Sequence, residues 1–150
     1  MTEQMGNDLQ PPPLAPHLCV DGAADAIDFY TRAFGATEMM RMPGPDGRLI
    51  HAAILVNGAL VMLHDEYPDM GALGPKKRGG TAVTLHLNVP DADAAAERAV
   101  AAGATVVMPV GDQFWGDRYG VLEDPFGHHW SVAHKLRDVS VEEMQAGTGL

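Results

Sequence analysis

Histidine is the residue type through which this chain could most readily bind a ligand or a metal ion. The chain has seven histidines, and two of them, His17 and His86, begin the near-identical tetrapeptides HLCV and HLNV. An imidazole in a strand can hydrogen-bond within the sheet, contact a bound molecule or ligate a metal ion. All three interpretations stay open for His17 and His86, and His64 is a third candidate of the same kind.

A second group of candidate binding residues lies in an aromatic segment of the C-terminal half. Five of the nine aromatic residues fall between positions 114 and 130. Trp115 and Tyr119 flank Arg118, with glycines at 116 and 120 that suit a loop closing over a ligand. Aromatic rings stack on flat or cationic ligands, and a guanidinium pairs with a carboxylate or phosphate. The segment is either the rim of a pocket or a packed anchor of the loop.

An internal repeat must position these candidates. HLCV at 17–20 and HLNV at 86–89 match at an offset of 69 residues, and the Gly-Ala-Thr triplets at 35–37 and 103–105 match at an offset of 68. Later, Gly58 of an Asn-Gly turn meets Gly127 at an offset of 69. The chain is therefore two copies of one unit of about 65 residues.

Each copy predicts a strand, a helix and three further strands, so the fold class is α+β. We expect two tandem βαβββ modules whose strands form a cupped mixed sheet. The strands are expected at 14–20, 37–42, 48–56 and 59–65, and again at 82–89, 105–110, 118–123 and 128–134. Asp21 and Asp91 are candidate helix N-caps. Gly35 and Gly103 stand where left-handed caps would end the two helices.

The modules occupy residues 14–66 and 81–135 of one domain spanning 14–135. Residues 1–13 end in three prolines and predict a flexible N-terminal arm. Residues 136–150 form a tail, in which Ser140 and Glu143 predict a short helix through a capping box. The periodicity assigns the following residues to the core between sheet and helices: Leu18, Val20, Ile27, Phe34, Leu85, Leu87, Val100 and Trp130.

Strand alternation predicts which side chains face the cup, because every second residue of a strand points to the same side. The cup-facing positions on the first strands are Ala15, His17, Cys19, Thr84, His86 and Asn88, and on the fourth strands Met62, His64, His129 and Ser131. Four of the seven histidines are thus expected to converge on one cavity. The other three, His51, His128 and His134, are expected at the surface or in turns.

Composition excludes several classes of function. The chain is 46% hydrophobic and 20% charged, which is typical of a globular protein. Its net charge of −10 opposes sequence-independent attraction to nucleic acid or to anionic lipid. The apolar runs are of strand length, whereas a membrane-spanning helix needs about 20 residues. The single cysteine, Cys19, fits a reducing cytoplasm, which is the expected location.

Several motifs carry a resemblance to a known family. Tandem βαβββ units of this length, the Asp-Phe-Tyr triplet at 28–30 and the segment DPFGHHW at 124–130 resemble the vicinal oxygen chelate (VOC) superfamily. That superfamily includes glyoxalase I, bleomycin resistance proteins, fosfomycin thiol transferases and extradiol dioxygenases. The segment FWGDRYG at 114–120 is similar to its PhnB-like branch. The resemblance covers about residues 14–135, and it implies the cup fold more strongly than any chemistry.

The resemblance also implies where a metal ion would bind. Members that use a metal ion hold it with His or Gln on the first strand and Glu on the fourth strand of each module. The corresponding positions here are Ala15, Met62, Thr84 and Ser131, and none is a competent ligand for such an ion. We therefore expect a metal-independent, cofactor-free small-molecule binding protein of bleomycin-resistance or PhnB-like type. Its expected ligand-binding residues are His17, Met62, His64, His86, Trp115, Arg118 and Tyr119.

Two alternatives to this function stay open. The first is a lyase, isomerase or transferase that holds a divalent metal such as Zn, Ni, Mn or Fe on His17, His64 and His86, each two residues from an implied position and on the same strand face. The second is a purely structural dimeric scaffold. In every case a homodimer is expected, because single cups in this superfamily often leave an open edge that a second chain covers.

Overall fold

A computed structural model describes residues 10–149, so most of the predicted N-terminal arm lies outside the described residues. The first module comprises β1 (His17–Val20), α1 (Ala23–Phe34), β2 (Thr37–Pro43), β3 (Leu49–Val56) and β4 (Ala59–Asp65). A connection follows with a 3-10 turn (Pro68–Met70) and a short helix, α2 (Pro75–Arg78). The second module comprises β5 (Thr84–Asn88), α3 (Ala92–Ala102), β6 (Thr105–Asp112), β7 (Asp117–Glu123) and β8 (His129–Lys135), and the chain continues into α4 (Val141–Gly147).

The two modules form two four-stranded mixed sheets with the same topology. Their strand orders are β1-β4-β3-β2 and β5-β8-β7-β6. The first strand of each module runs parallel to the fourth, and the other neighbours are antiparallel. The predicted α+β fold with two tandem βαβββ modules is confirmed. Among the described residues, no helix is both long enough and apolar enough to cross a membrane.

One hydrophobic core joins the two modules. Helices α1 and α3 pack against each other, and each also packs on its own sheet. Trp130 of the second sheet reaches α1, where its ring centroid lies 5.3 Å from that of Tyr30 and 4.8 Å from that of Phe34. Because the helix-facing sides of both sheets close on this core, the other side of each sheet points away from it. We call these sides the first-sheet face and the second-sheet face.

The predicted core is correct except at one position. Leu18, Val20, Ile27, Leu87 and Trp130 are buried, and two more residues, at positions 34 and 85, are partly buried against the same cluster. The assignment of Val100 to the core is wrong. This residue is 42% exposed, because Ala92, Ala96 and Ala99 form the buried side of α3 and Val100 lies outside it.

The caps of α1 and α3 follow the predictions at three of four positions, and the predicted capping box of α4 is also present. Asp91 caps α3 by accepting a hydrogen bond from the backbone N–H of Ala94 at 3.1 Å. Gly35 and Gly103 end the helices with positive φ angles of 67° and 129°. Ser140 and Glu143 of the predicted capping box bond across the start of α4.

The prediction that Asp21 caps α1 is wrong. The cap position is Gly22, and a carboxylate from elsewhere in the module bonds the free N–H groups of the helix. Asp65, at the end of β4, accepts hydrogen bonds from Gly22 N at 2.9 Å and Ala23 N at 2.8 Å. The contact is non-local, which is why the local sequence pattern does not reveal it.

Candidate functional site

The first-sheet face carries a cluster of three histidines. His17 lies on β1, His51 on β3, and His64 on the β4 strand between them. The ring centroid of His17 is 4.9 Å from that of His64 and 5.5 Å from that of His51, both in edge-to-face contact. His51, expected at the surface or in a turn, is a half-buried strand residue, and the pairing of Ala52 with Leu63 across β3 and β4 places it opposite His64 on this face.

Sulfur-bearing side chains complete the same face. The pairing partners His17 and Met62 lie side by side on β1 and β4, as do Cys19 and His64. Across the sheet, Met42 of β2 is the partner of His51. Partners on neighbouring strands are about 4.8 Å apart and point to one side of the sheet. Two rows of side chains therefore cross the sheet from β2 to β1. The first row contains Met40, Ala53, Met62 and His17, and the second contains Met42, His51, His64 and Cys19.

The environment of this face changes the acidity of two of its groups. Partial burial lowers the pKa of His17 below its ordinary value of 6.5, and the neighbouring His64 and His51 lower it further. Burial also raises the pKa of the Cys19 thiol, and the nearby carboxylate of Glu66 adds to that effect. Both groups are therefore held in their uncharged forms at neutral pH.

The second-sheet face is built around His86, the repeat mate of His17. Its Nδ1 lies 2.7 Å from Ser131 Oγ and its Nε2 lies 3.1 Å from Asn88 Oδ1, so both ring nitrogens have protein partners. Tyr119 stacks on this imidazole with ring centroids 6.0 Å apart and planes 20° from parallel. Trp115 meets the edge of Tyr119 at 5.5 Å. A row of three rings thus crosses this face.

Arg118, expected at the rim of the pocket, does not lie on the second-sheet face with Tyr119. Successive side chains of a strand point to opposite sides, and Arg118 precedes Tyr119 on β7. Its guanidinium binds Asp93 of α3 through two contacts, one of them 2.9 Å long, and Asp112 of β6 at 2.8 Å. The side chain therefore ties α3 to β6 and β7.

The histidines form two groups in one chain rather than one. His17 contacts His51 and His64, whereas His86 contacts partners of the second sheet only. The expected convergence of His17, His64, His86 and His129 on one cavity is therefore not found within the described part of a single chain. His129 also has a local partner, since its Nε2 lies 3.0 Å from Glu123 Oε1.

The remaining two histidines have structural roles between elements. His128 donates from Nε2 to the backbone carbonyl of Cys19 at 3.0 Å and so joins the two modules. His134 accepts at Nδ1 from the backbone N–H of Ala92 at 2.8 Å, where α3 begins. His134 is the repeat mate of Asp65, so the same position of the repeat accepts from the first N–H of α3 with an imidazole and from the first N–H of α1 with a carboxylate.

With this architecture established, comparison with known proteins assigns a family. A model of the Glyoxalase/Bleomycin resistance protein/Dioxygenase superfamily matches residues 13–132. The chain belongs to this superfamily. The match spans both βαβββ modules and both faces described above, which places the candidate site within the region the superfamily shares.

Relatives of known sequence or structure agree with that assignment. An uncharacterized protein of Mycobacterium bovis is 57% identical over 138 residues, which cover 90% of this chain and 91% of that protein. A crystal structure of a Pseudomonas aeruginosa protein has a TM-score of 0.67 and 28% identity, covering 83% of this chain and 98% of that one. A Bacillus cereus protein described as PhnB has a TM-score of 0.66 at 21% identity, covering 82% and 99%.

The residues present do not fit the divalent metal ion that some superfamily members use. Ala15 and Met62 offer no hard donor, and Thr84 is an exposed hydroxyl at the start of β5. Ser131 is 1% exposed and already bonded to His86. Across residues 10–149, no group of three or more His, Cys, Asp or Glu side chains is placed to hold a metal ion, and this includes the set His17, His64 and His86.

Proposed function

We propose that this superfamily member binds a small organic ligand without a divalent metal ion, in a cup shared by two copies of the chain. The first-sheet face of one copy and the second-sheet face of the other would form the two walls. The observation that carries this proposal is the replacement of the implied metal ligands by Met62 and Ser131, on faces that otherwise bear rings and thioethers. Such surfaces bind apolar and aromatic molecules by contact and stacking.

The exposure of apolar side chains supports a shared cup. All seven residues of the edge strand β2 are exposed, including Met40 at 39% and Met42 at 47%. Large apolar side chains grouped on one side of a sheet mark a surface that another molecule covers. A second copy of the chain, related by a twofold axis, would cover both faces at once and leave a closed pocket between them.

The second-sheet face indicates a flat ligand. Tyr119, His86 and Trp115 present ring surfaces on which a planar group can stack, and the exposed side-chain amide of Asn88 lies beside His86. His17, Met62 and His64 would line the opposite wall. This arrangement supports a bleomycin-resistance or PhnB-like type of binding protein, acting in the cytoplasm, where one unpaired cysteine is ordinary.

Association and binding can be tested together. Sedimentation at micromolar concentration should give a species of twice the chain's 16.0 kDa mass. The flat aromatic dye 8-anilinonaphthalene-1-sulfonate should bind this species with an affinity that EDTA leaves unchanged. The Tyr119→Leu substitution should weaken dye binding about 3- to 10-fold, which corresponds to the free energy of one aromatic contact. The matched control Tyr67→Leu, whose ring lies under Arg48 in the connection after β4, should not.

Two results would overturn the proposal. A monomer at micromolar concentration would remove the shared cup. Stoichiometric zinc, nickel, manganese or iron that survives dialysis and disappears in a His17→Ala variant, with dye binding lost in EDTA, would favour a metal-dependent lyase, isomerase or transferase instead.

A further inference from the structure

Soft metal-binding donors are concentrated on the first-sheet face. Seven side chains with imidazole, thioether or thiol groups occupy the two transverse rows of this face: His17, His51, His64, Met40, Met42, Met62 and Cys19. The two rows contain no carboxylate and no amine. Thioethers favour soft ions such as Cu(I), and imidazole suits copper as well as zinc, iron and nickel, so the thioethers on this face point to Cu(I).

His64 is already oriented as a metal ligand would be. Its Nδ1 lies 2.7 Å from the backbone carbonyl of Asp65, and because a carbonyl only accepts, Nδ1 carries the proton. Nε2 of the neutral ring therefore keeps a free lone pair. Metal-binding histidines are commonly held in this way, with the second ring nitrogen donating to a carbonyl or carboxylate.

His17 lies at a distance from His64 that suits a shared ion. Two imidazoles on one metal ion have ring centroids about 5 Å apart, because each metal–nitrogen bond is about 2 Å long. The observed centroid distance is 4.9 Å. Among residues 10–149, the His17 ring has no hydrogen-bond partner, so both of its nitrogens are available. Met62, its pairing partner on β4, brings a thioether beside it.

We propose that the first-sheet face binds Cu(I) through the imidazoles of His17 and His64 and the thioether of Met62. Three neutral soft donors satisfy this ion, which needs no carboxylate and no fourth ligand. A divalent ion such as zinc prefers three or four nitrogen, oxygen or thiolate donors, and the described residues offer no such group.

The internal repeat provides a natural comparison for this site. The second module keeps the histidine at position 86, but it has Ser131 where the first has Met62 and Ala133 where the first has His64. Its imidazole is also fully occupied by Ser131 and Asn88. The site is built by one sheet of one chain, so the inference does not depend on the proposed function or on dimer formation.

The test is an anaerobic titration with Cu(I) against the chelator bathocuproine disulfonate, in a Cys19→Ser background that removes the one thiol. One equivalent of Cu(I) should be retained, with no comparable retention of Zn(II). His17→Ala and His64→Ala should each weaken Cu(I) binding at least about tenfold, since losing even a supporting partner of a ligand costs that much. The matched control His86→Ala should bind Cu(I) as tightly as the background protein.

A conservative variant protects the test against misfolding. Met62→Leu keeps the side-chain volume and removes only the sulfur, so it should remain folded by circular dichroism while Cu(I) affinity falls. Failure of the Cys19→Ser protein to retain Cu(I) would overturn the inference. So would an unchanged Cu(I) affinity in Met62→Leu, or an equal loss of affinity in His86→Ala and His17→Ala.

Discussion

Removing the hydroxyl of Tyr30 should weaken the contact between the two modules. This hydroxyl, on α1, donates to Asp124 Oδ2 at 2.6 Å, and Asp124 is only 3% exposed. The same carboxylate accepts from Trp130 Nε1 at 2.8 Å and from the backbone N–H groups of Phe126 and His128. A Tyr30→Phe variant keeps the ring against Trp130 and deletes one of four donors.

The expected cost follows from the charge and burial of the acceptor. A hydrogen bond to a charged group contributes about 1.5–3 kcal/mol, and the low end applies because three donors to Asp124 remain. We expect the free energy of unfolding to fall by about 1.5–2 kcal/mol. For a chain of this length the melting temperature should drop by about 3–8 °C. Urea denaturation followed by tryptophan fluorescence measures the first quantity, and a thermal scan the second.

The pH dependence gives an independent check on Tyr30. Burial raises the pKa of Tyr30 well above its ordinary value of 10, and the neighbouring Asp124 adds to the effect. The folded chain keeps this proton at a pH where the unfolded chain has lost it. The stability that the Tyr30 proton contributes is therefore fully present below about pH 10, and it is lost as the pH rises further. The Phe variant has no such proton, so its stability difference from wild type should shrink in alkali.

A matched variant makes the result interpretable. Tyr119 lies on the second-sheet face, and its hydroxyl has no hydrogen bond among the described residues, so Tyr119→Phe should leave stability within about 0.5 kcal/mol of wild type. The reasoning fails if Tyr30→Phe costs no more than this control. It also fails if the difference between Tyr30→Phe and wild type is the same at about pH 8 and about pH 11.

Three further outcomes are expected. His134→Ala should cost about 1 kcal/mol in urea denaturation by freeing the N–H of Ala92, and His134→Asp should recover most of it; an Asp variant weaker than Ala would contradict the capping role. Gly120→Ala should cost about 1–3 kcal/mol, because its Cβ would lie 2.6 Å from Val110 Cγ2; an unchanged melting temperature would show that the strands separate freely. His17 should titrate below pH 6.5 by NMR, so its contribution to stability falls as the pH drops below 6.5; an unshifted titration would contradict the partial burial that lowers its pKa.

The repeat made most of the fold predictable. Once the tetrapeptides beginning at His17 and His86 are aligned, local signals such as Asp91 and Gly35 mark where elements begin and end, and alternation assigns strand faces. These signals act within a few residues, so one sequence suffices to read them. The residue that caps α1 could not be predicted, because Asp65 lies 42 residues from its partner Ala23 and local sequence patterns do not extend that far.

The candidate site was predictable in part for a similar reason. His17, Met62 and His64 follow from alternation within β1 and β4, and the parity of β7 alone would have separated Arg118 from Tyr119. His51 could be placed only with the pairing of β3 against β4, because a shift of one residue would turn its ring to the other side of the sheet. Pairing across strands depends on packing of the whole module, which a single sequence does not display.

The side-chain bonds at the outer edges of β1 and β5 limit how these sheets can grow. Nε2 of His128 bonds the carbonyl of Cys19, and Nδ2 of Asn57 bonds the carbonyl of Asn88 at 3.1 Å. Each edge therefore loses an acceptor that a foreign strand would need for pairing. With strands of only four and five residues, too few free groups remain for strand addition to propagate from chain to chain. Each module thus supplies the side chain that blocks strand pairing at the outer edge of the other module's sheet.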